Sequence, residues 1–175
     1  MSEATPPEVT PRSGGTTLVR AAVAAIEAAT GRGPLEISDF RGTPCLRVDA
    51  HSVVAACQSL RDASALDFAL LVDLTAVDWS GCRPGCEPRF DVIYQLMSLT
   101  RNERLFLAVG VPSDDPTVPS VIGLWHAAGF LEREVFDLMG IRFDGHPDLR
   151  RLVLPEDWQG HPLRKEYPLR GDDRP

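Results

Sequence analysis

Residues 120–141 read Ser-Val-Ile-Gly-Leu-Trp-His-Ala-Ala-Gly-Phe-Leu-Glu-Arg-Glu-Val-Phe-Asp-Leu-Met-Gly-Ile. Val121, Leu124, Trp125, Ala128, Leu131, Val135, Leu138 and Met139 recur at helical spacing over about five turns. Ser120 is the expected N-cap of this helix and Gly140 its left-handed stop, with Ile141 packing back on Phe136. A helix with one apolar stripe must bury it against a second layer. The stretches upstream supply that layer.

Phe90–Leu99 and Leu105–Val111 are rich in aromatic and aliphatic residues and read as strands joined near Asn102. Leu35–Phe40 and Cys45–Val48 read as a hairpin about the Arg41-Gly42-Thr43-Pro44 turn. Leu66–Val77 suits a buried strand or a short helix, and a strand is favoured. Leu18–Thr30 and a segment from Asp49 or Ser52 to Leu60 read as further helices, with Thr17 and Gly31 bounding the first. Ser80–Pro88 and Pro112–Pro119 are loops. Without strict βα alternation, the expected fold is α+β: one domain over residues 18–140, a mixed or antiparallel sheet backed by helices. Residues 1–17, rich in Pro, Ser, Thr and Gly, are expected to form a disordered tail.

Beyond Gly140 the chain reads IRFDGHPDLRRLVLPEDWQGHPLRKEYPLRGDDRP. Pro147, Pro155, Pro162 and Pro168 break any long helix. Phe143, Leu149, Leu152, Val153, Leu154, Trp158, Leu163, Tyr167 and Leu169 are too apolar for a solvated coil. Residues 141–175 therefore read as an extended segment that buries partly on its own domain and partly in a partner's groove. As a strap for a partner, it would leave the domain able to fold without the residues from Asp157 onward.

Bulk properties narrow the function. A net charge of −7 argues against nucleic acid and against direct docking on anionic lipid. No apolar run reaches the roughly 20 residues of a membrane span, and the N-terminus lacks the layout of a secretory signal. Glycine-rich nucleotide loops and GxSxG or metalloprotease motifs are missing. Cys82 and Cys86 are one residue too far apart for a CxxC pair and lack two further ligands; two reduced thiols in a loop are the plainer reading. His146 and His161 sit in Gly-His-Pro turns, so structural roles outweigh an acid–base role in a small hydrolase. Glu132 lies at the edge of the apolar stripe and wants a positive partner, with Arg150, Arg151 or Arg164 as candidates; a solvated helix face is the alternative. Arg133 and Asp137 are spaced for an i,i+4 pair.

One run carries more than composition: Leu131-Glu-Arg-Glu-Val-Phe-Asp-Leu-Met-Gly-Ile141, Gly145-His-Pro-Asp-Leu-Arg-Arg151, Pro155-Glu-Asp-Trp158 and Gly160-His-Pro-Leu-Arg-Lys-Glu-Tyr-Pro168. In order and spacing it resembles the 30 kDa subunit family of the bacterial NADH–quinone oxidoreductase, respiratory complex I. The match is close over Ser120–Leu169 and looser over Leu70–Val111; Glu166 stands where Asp is commoner. The resemblance implies a cofactor-free structural subunit of the peripheral arm, with FMN and iron–sulfur clusters held by partner subunits. It implies packing against the large quinone-site subunit, at the cytoplasmic side of the inner membrane and touching the membrane only through the complex. The holoenzyme would oxidise NADH, reduce quinone and move protons. The signature residues carried over as a partner interface are Glu132, Arg133, Glu134, Asp137, Gly140, His146, Pro147, Arg150, Arg151, Trp158, His161, Pro162, Leu163, Arg164 and Lys165. The same resemblance admits the equivalent subunit of a membrane-bound hydrogenase or of another donor's quinone reductase.

Overall fold

A computed structural model describes residues 13–80, 82 and 87–168. Its main sheet has five strands in the order β1 (Glu36–Phe40), β2 (Thr43–Val48), β5 (Glu103–Val111), β4 (Phe90–Ser98), β3 (Leu70–Asp78). All neighbours are antiparallel except β2 and β5, which run parallel with Leu46 opposite Leu107. The sheet is therefore mixed, and the fold is α+β as expected. The β1–β2 turn is tight because Arg41 and Gly42 both take positive φ, 53° and 84°, the geometry that matches strand twist.

Alternation decides which face is covered. On β4, Phe90, Val92, Tyr94 and Leu96 are buried under helices α1 (Ser13–Thr30) and α2 (Val53–Asp62) with Leu105, Leu107 and Val109 of β5. Leu18, Ala22 and Ile26 of α1 and Val53, Ala56, Cys57 and Leu60 of α2 complete this core. Asp49 caps a short 3-10 turn, Ala50–Ser52, that leads into α2. Leu66 and Phe68 are fully buried, but the strand they precede begins only at Leu70.

Three expectations change. Helix α1 begins at Ser13, so part of the expected disordered tail is helical; Thr17 lies inside the helix rather than capping it, and residues 1–12 are outside the described set. The long helix expected from Val121 is α3, Ala128–Met139, and residues 121–127 form successive turns. Two short strands interrupt stretches expected as loop and extended chain, β6 (Thr117–Pro119) and β7 (Arg142–Asp144), which pair in parallel. Through β7, Ile141 and Phe143 sit in the core, both essentially unexposed. The turns at 121–127 have a physical cause. Twelve residues of helix span about 18 Å, yet the Glu132 carboxylate meets Ser120 Oγ at 2.6 Å and the Val121 N–H at 2.8 Å. The chain must fold back to satisfy that carboxylate. Val121 and Trp125 stay buried all the same, and Trp125 donates its indole N–H to the Ala69 carbonyl at 3.0 Å.

Candidate functional site

Gly140 ends α3 with φ 71°, its N–H donating to the Phe136 carbonyl. A helix end leaves its last carbonyls without partners. Here the segment 145–168 supplies them. Leu163 N–H donates to the Leu138 carbonyl at 3.0 Å, Arg164 Nε to Met139 at 2.7 Å, and His161 Nδ1 lies 3.0 Å from the Asp137 carbonyl. Gly140 permits this approach. A Cβ there would stand 2.6 Å from both the Arg164 guanidinium and the His161 ring. The spacing of Gly140, His161 and Arg164 is thus a packing solution, with arginine opposite the negative end of the helix dipole.

Asp137 is the centre of the fastening. Its side chain is fully buried, and one oxygen accepts the backbone N–H groups of Leu152, Val153 and Leu154 at 2.7–2.9 Å. The other oxygen meets Arg151 Nη1 at 2.6 Å, and Arg151 Nη2 donates onward to the Trp158 carbonyl at 3.0 Å. Burial alone would push this acid up. The Leu154 N–H, Arg151 and the Val153 and Leu152 N–H groups outweigh burial and hold it at about 2. Arg133 donates to the Arg150 and Arg151 carbonyls at 3.0 and 2.9 Å. The expected i,i+4 pair of Arg133 with Asp137 is replaced by these contacts, because the segment offers both groups better partners.

Glu132 also departs from expectation. It is fully buried, but no arginine of the segment reaches it; Ser120 and the Val121 N–H hold it instead. Burial raises its pKa, and the two hydrogen bonds and nearby His146 only partly offset this. Glu134 is exposed on the outer side of α3, and Pro147 is exposed beside His146. His146 itself bridges the Gly129 carbonyl at 3.0 Å and the Asp148 N–H at 3.0 Å, and Arg150 pairs with Asp148. These contacts make both Gly-His-Pro turns structural.

The far end of the segment is tied to the sheet through residues that sequence reading passed over. Asp78, buried at the end of β3, accepts Arg89 and the Lys165 N–H at 3.0 Å, and Arg89 also pairs with Glu166. Burial opposes ionisation of Asp78, but Arg89 and the backbone donors hold it well below the usual carboxylate range. The guanidinium carbons of Arg89 and Arg164 lie 4.7 and 5.4 Å from the Phe90 ring centroid. An aspartate closing the apolar run 70–77 was the available signal.

Residues after Asp157 are thus in contact with the domain through His161, Leu163, Arg164 and Lys165. The segment leaves apolar side chains outside among exposed polar ones such as Glu156, Asp157 and Gln159. Leu152, Val153, Trp158 and Leu163 are 39–58% exposed, with Pro162 half-buried among them. Among the described residues no group of three or more His, Cys, Asp and Glu side chains is placed to hold a metal ion; Cys82 is exposed, and Cys86 lies outside the described residues. No described helix is long and apolar enough to cross a membrane.

The family described as respiratory-chain NADH dehydrogenase, 30 Kd subunit, matches residues 46–173. The C subunit of the NADH-quinone oxidoreductase of Geobacter sulfurreducens is 46% identical over 140 residues, 80% of this chain and 83% of its own length. The Roseiflexus sp. (strain RS-1) protein of the same name is 46% identical, covering 78% of this chain and 76% of its own. A solved trypsin-resistant fragment (1-134) of Nqo5 superposes with a TM-score of 0.60 at 35% identity, over 72% of this chain and 97% of the fragment. A chain of the membrane-bound sulfane sulfur reductase, an archaeal respiratory membrane complex, gives a TM-score of 0.72 over 90% of this chain and 87% of that one. At 22% identity that likeness is one of fold.

Proposed function

The chain belongs to the 30 Kd subunit family of the respiratory-chain NADH dehydrogenase, a family of subunits of the NADH–quinone oxidoreductase, and on that premise we propose what it does there. It is a cofactor-free structural subunit of the peripheral arm of the proton-pumping complex. Its strap, residues 145–168, packs against the large subunit that forms the quinone site, at the cytoplasmic face of the inner membrane. FMN and iron–sulfur clusters reside in partner subunits, and the isolated chain turns over neither NADH nor quinone.

The observation that carries this reading is the division of labour within the strap. Its backbone, with Arg151 and Arg164, is fastened to α3 and β3, whereas Leu152, Val153, Trp158 and Leu163 stay exposed. Holding a rigid row of apolar side chains outward lowers the ordering cost of association. Aromatic anchors of this kind dominate interface energy. The test is recovery of the complex from cells carrying Trp158→Ala with Leu163→Asp. The double variant should remain folded, with a melting temperature lowered by only a few degrees, yet be lost from the purified complex. Wild-type levels of incorporation would contradict the strap's role.

A further inference from the structure

The five-stranded sheet is covered by α1 and α2 on one face. On the opposite face a cross-strand row runs Glu36–Arg47–Ala108–Ile93–Thr75. Over Ala108 lies a trough of about 490 Å3. Its small floor residue creates the depth. Phe40 and Phe106 wall one end, edge to face with centroids 6.2 Å apart and planes at 71°. Trp79 walls the other end and donates its indole N–H to Asp91 at 2.8 Å.

The polar groups in the trough already answer one another. Arg47 donates to both oxygens of the almost fully buried Asp91, each at 2.6 Å. A bidentate pair with a third donor leaves little demand for a polar ligand, so the trough suits an apolar group. Its charge supplies the second constraint. Three carboxylates share one guanidinium: Arg47 pairs with Asp91 and also reaches Glu36, 61% exposed, at 3.4 Å, while Asp39 accepts the Gly42 N–H, so the lining is acidic on balance. Arg41 lies over the Phe40 ring at 5.5 Å, at the other end of β1 from Glu36. A positive group therefore fits the Glu36 end.

We propose that this trough docks a segment of another protein of the complex: an aromatic or long aliphatic anchor seated over Ala108, flanked by Lys or Arg at the Glu36 end. The inference rests on the subunit reading above but concerns the face that the strap does not use. A second copy of this chain is disfavoured, since two-fold pairing of the face would set its acidic rim against itself. The strap is disfavoured because its contacts are spent on α3 and Asp78.

The test uses the assembled complex. Ala108→Trp fills the trough, and Glu36→Arg reverses the rim charge at an exposed position whose ion pair with Arg47, at 3.4 Å, is a surface contact worth little to the fold. Each should lower the amount of this chain in the purified complex at least tenfold, with melting of the free chain unchanged for Glu36→Arg. A photoreactive aromatic at Phe40 should cross-link to another subunit beside a Lys or Arg. The proposal is overturned if Glu36→Arg is incorporated at wild-type level, or if the Phe40 probe reaches only a second copy, lipid or solvent. Loss restricted to the Trp158→Ala, Leu163→Asp variant would keep the strap reading and remove this one. Absence of the wild-type chain from the complex would remove both.

Discussion

Glu132 and Asp137 stand on one helix, five residues apart, and both side chains are fully buried. Their ionisation is nevertheless pushed in opposite directions. Glu132 faces the turn before α3 and receives one hydroxyl and one backbone N–H. Asp137 faces the strap and receives three backbone N–H groups and a guanidinium. Burial sets the default for a carboxyl, upward, and the number and charge of the donors decide whether it is reversed. The first end of α3 is thus held by a weakly supported acid, and the last end by a strongly supported one.

The sharpest way to break this contrast is to remove the second acid. Asp137→Ala takes the carboxylate from Arg151 and the acceptor from three partly buried N–H groups, and should cost about 3 kcal/mol in chemical denaturation. Release of the strap should make this chain sensitive to proteolysis between Arg150 and Tyr167. Acid titration sharpens the same contrast. Asp137 has a folded value of about 2 against 3.8 unfolded, so its contribution of about 2 kcal/mol is complete above about pH 5 and lost as pH falls toward 2. Glu132 works the other way. Its folded value is raised above 4.5, so the unfolded chain releases the proton first and stability declines as pH rises through the folded value. Glu132→Gln should flatten that decline, read from denaturation midpoints across pH 4–8, while Asp137→Asn should flatten the acid limb below pH 4.

A smaller effect is expected where the strap meets the helix stop. Gly140→Ala places a Cβ at positive φ and against Arg164 and His161, for a loss of about 2 kcal/mol in Tm-derived stability. The smallest is on the outer face. Trp158→Ala should cost the free chain about 1 kcal/mol, because 40% of the residue is exposed and only the remainder packs on its own chain.

The same two ends show what a sequence discloses. The stop of α3 was readable, because a glycine closing an apolar stripe has one common geometry. The start was not. Val121 and Trp125 keep helical spacing and are buried, but the carboxylate of Glu132, twelve positions after Ser120, turns the chain back on that serine. That contact is tertiary and leaves no periodic trace. Likewise the Arg and Asp residues of the signature were legible as an ionic cluster, but not its pairing: Arg151, not Arg133, meets Asp137. The parallel pair β6–β7 has three residues to each strand, too few for a pattern to register. The hairpin at Arg41-Gly42 and the long β4–β5 pair are legible in the sequence because each is local.

We propose a strap fixed inward by Asp137 and bound outward to another subunit. Amide hydrogen exchange, measured on the free chain and on the intact complex, tests both halves. The amides of Leu152, Val153 and Leu154 should be protected in the free chain, and residues 155–164 should gain protection only in the complex. Coil-like exchange at 152–154 in the free chain, or no added protection at 155–164 in the complex, would contradict it.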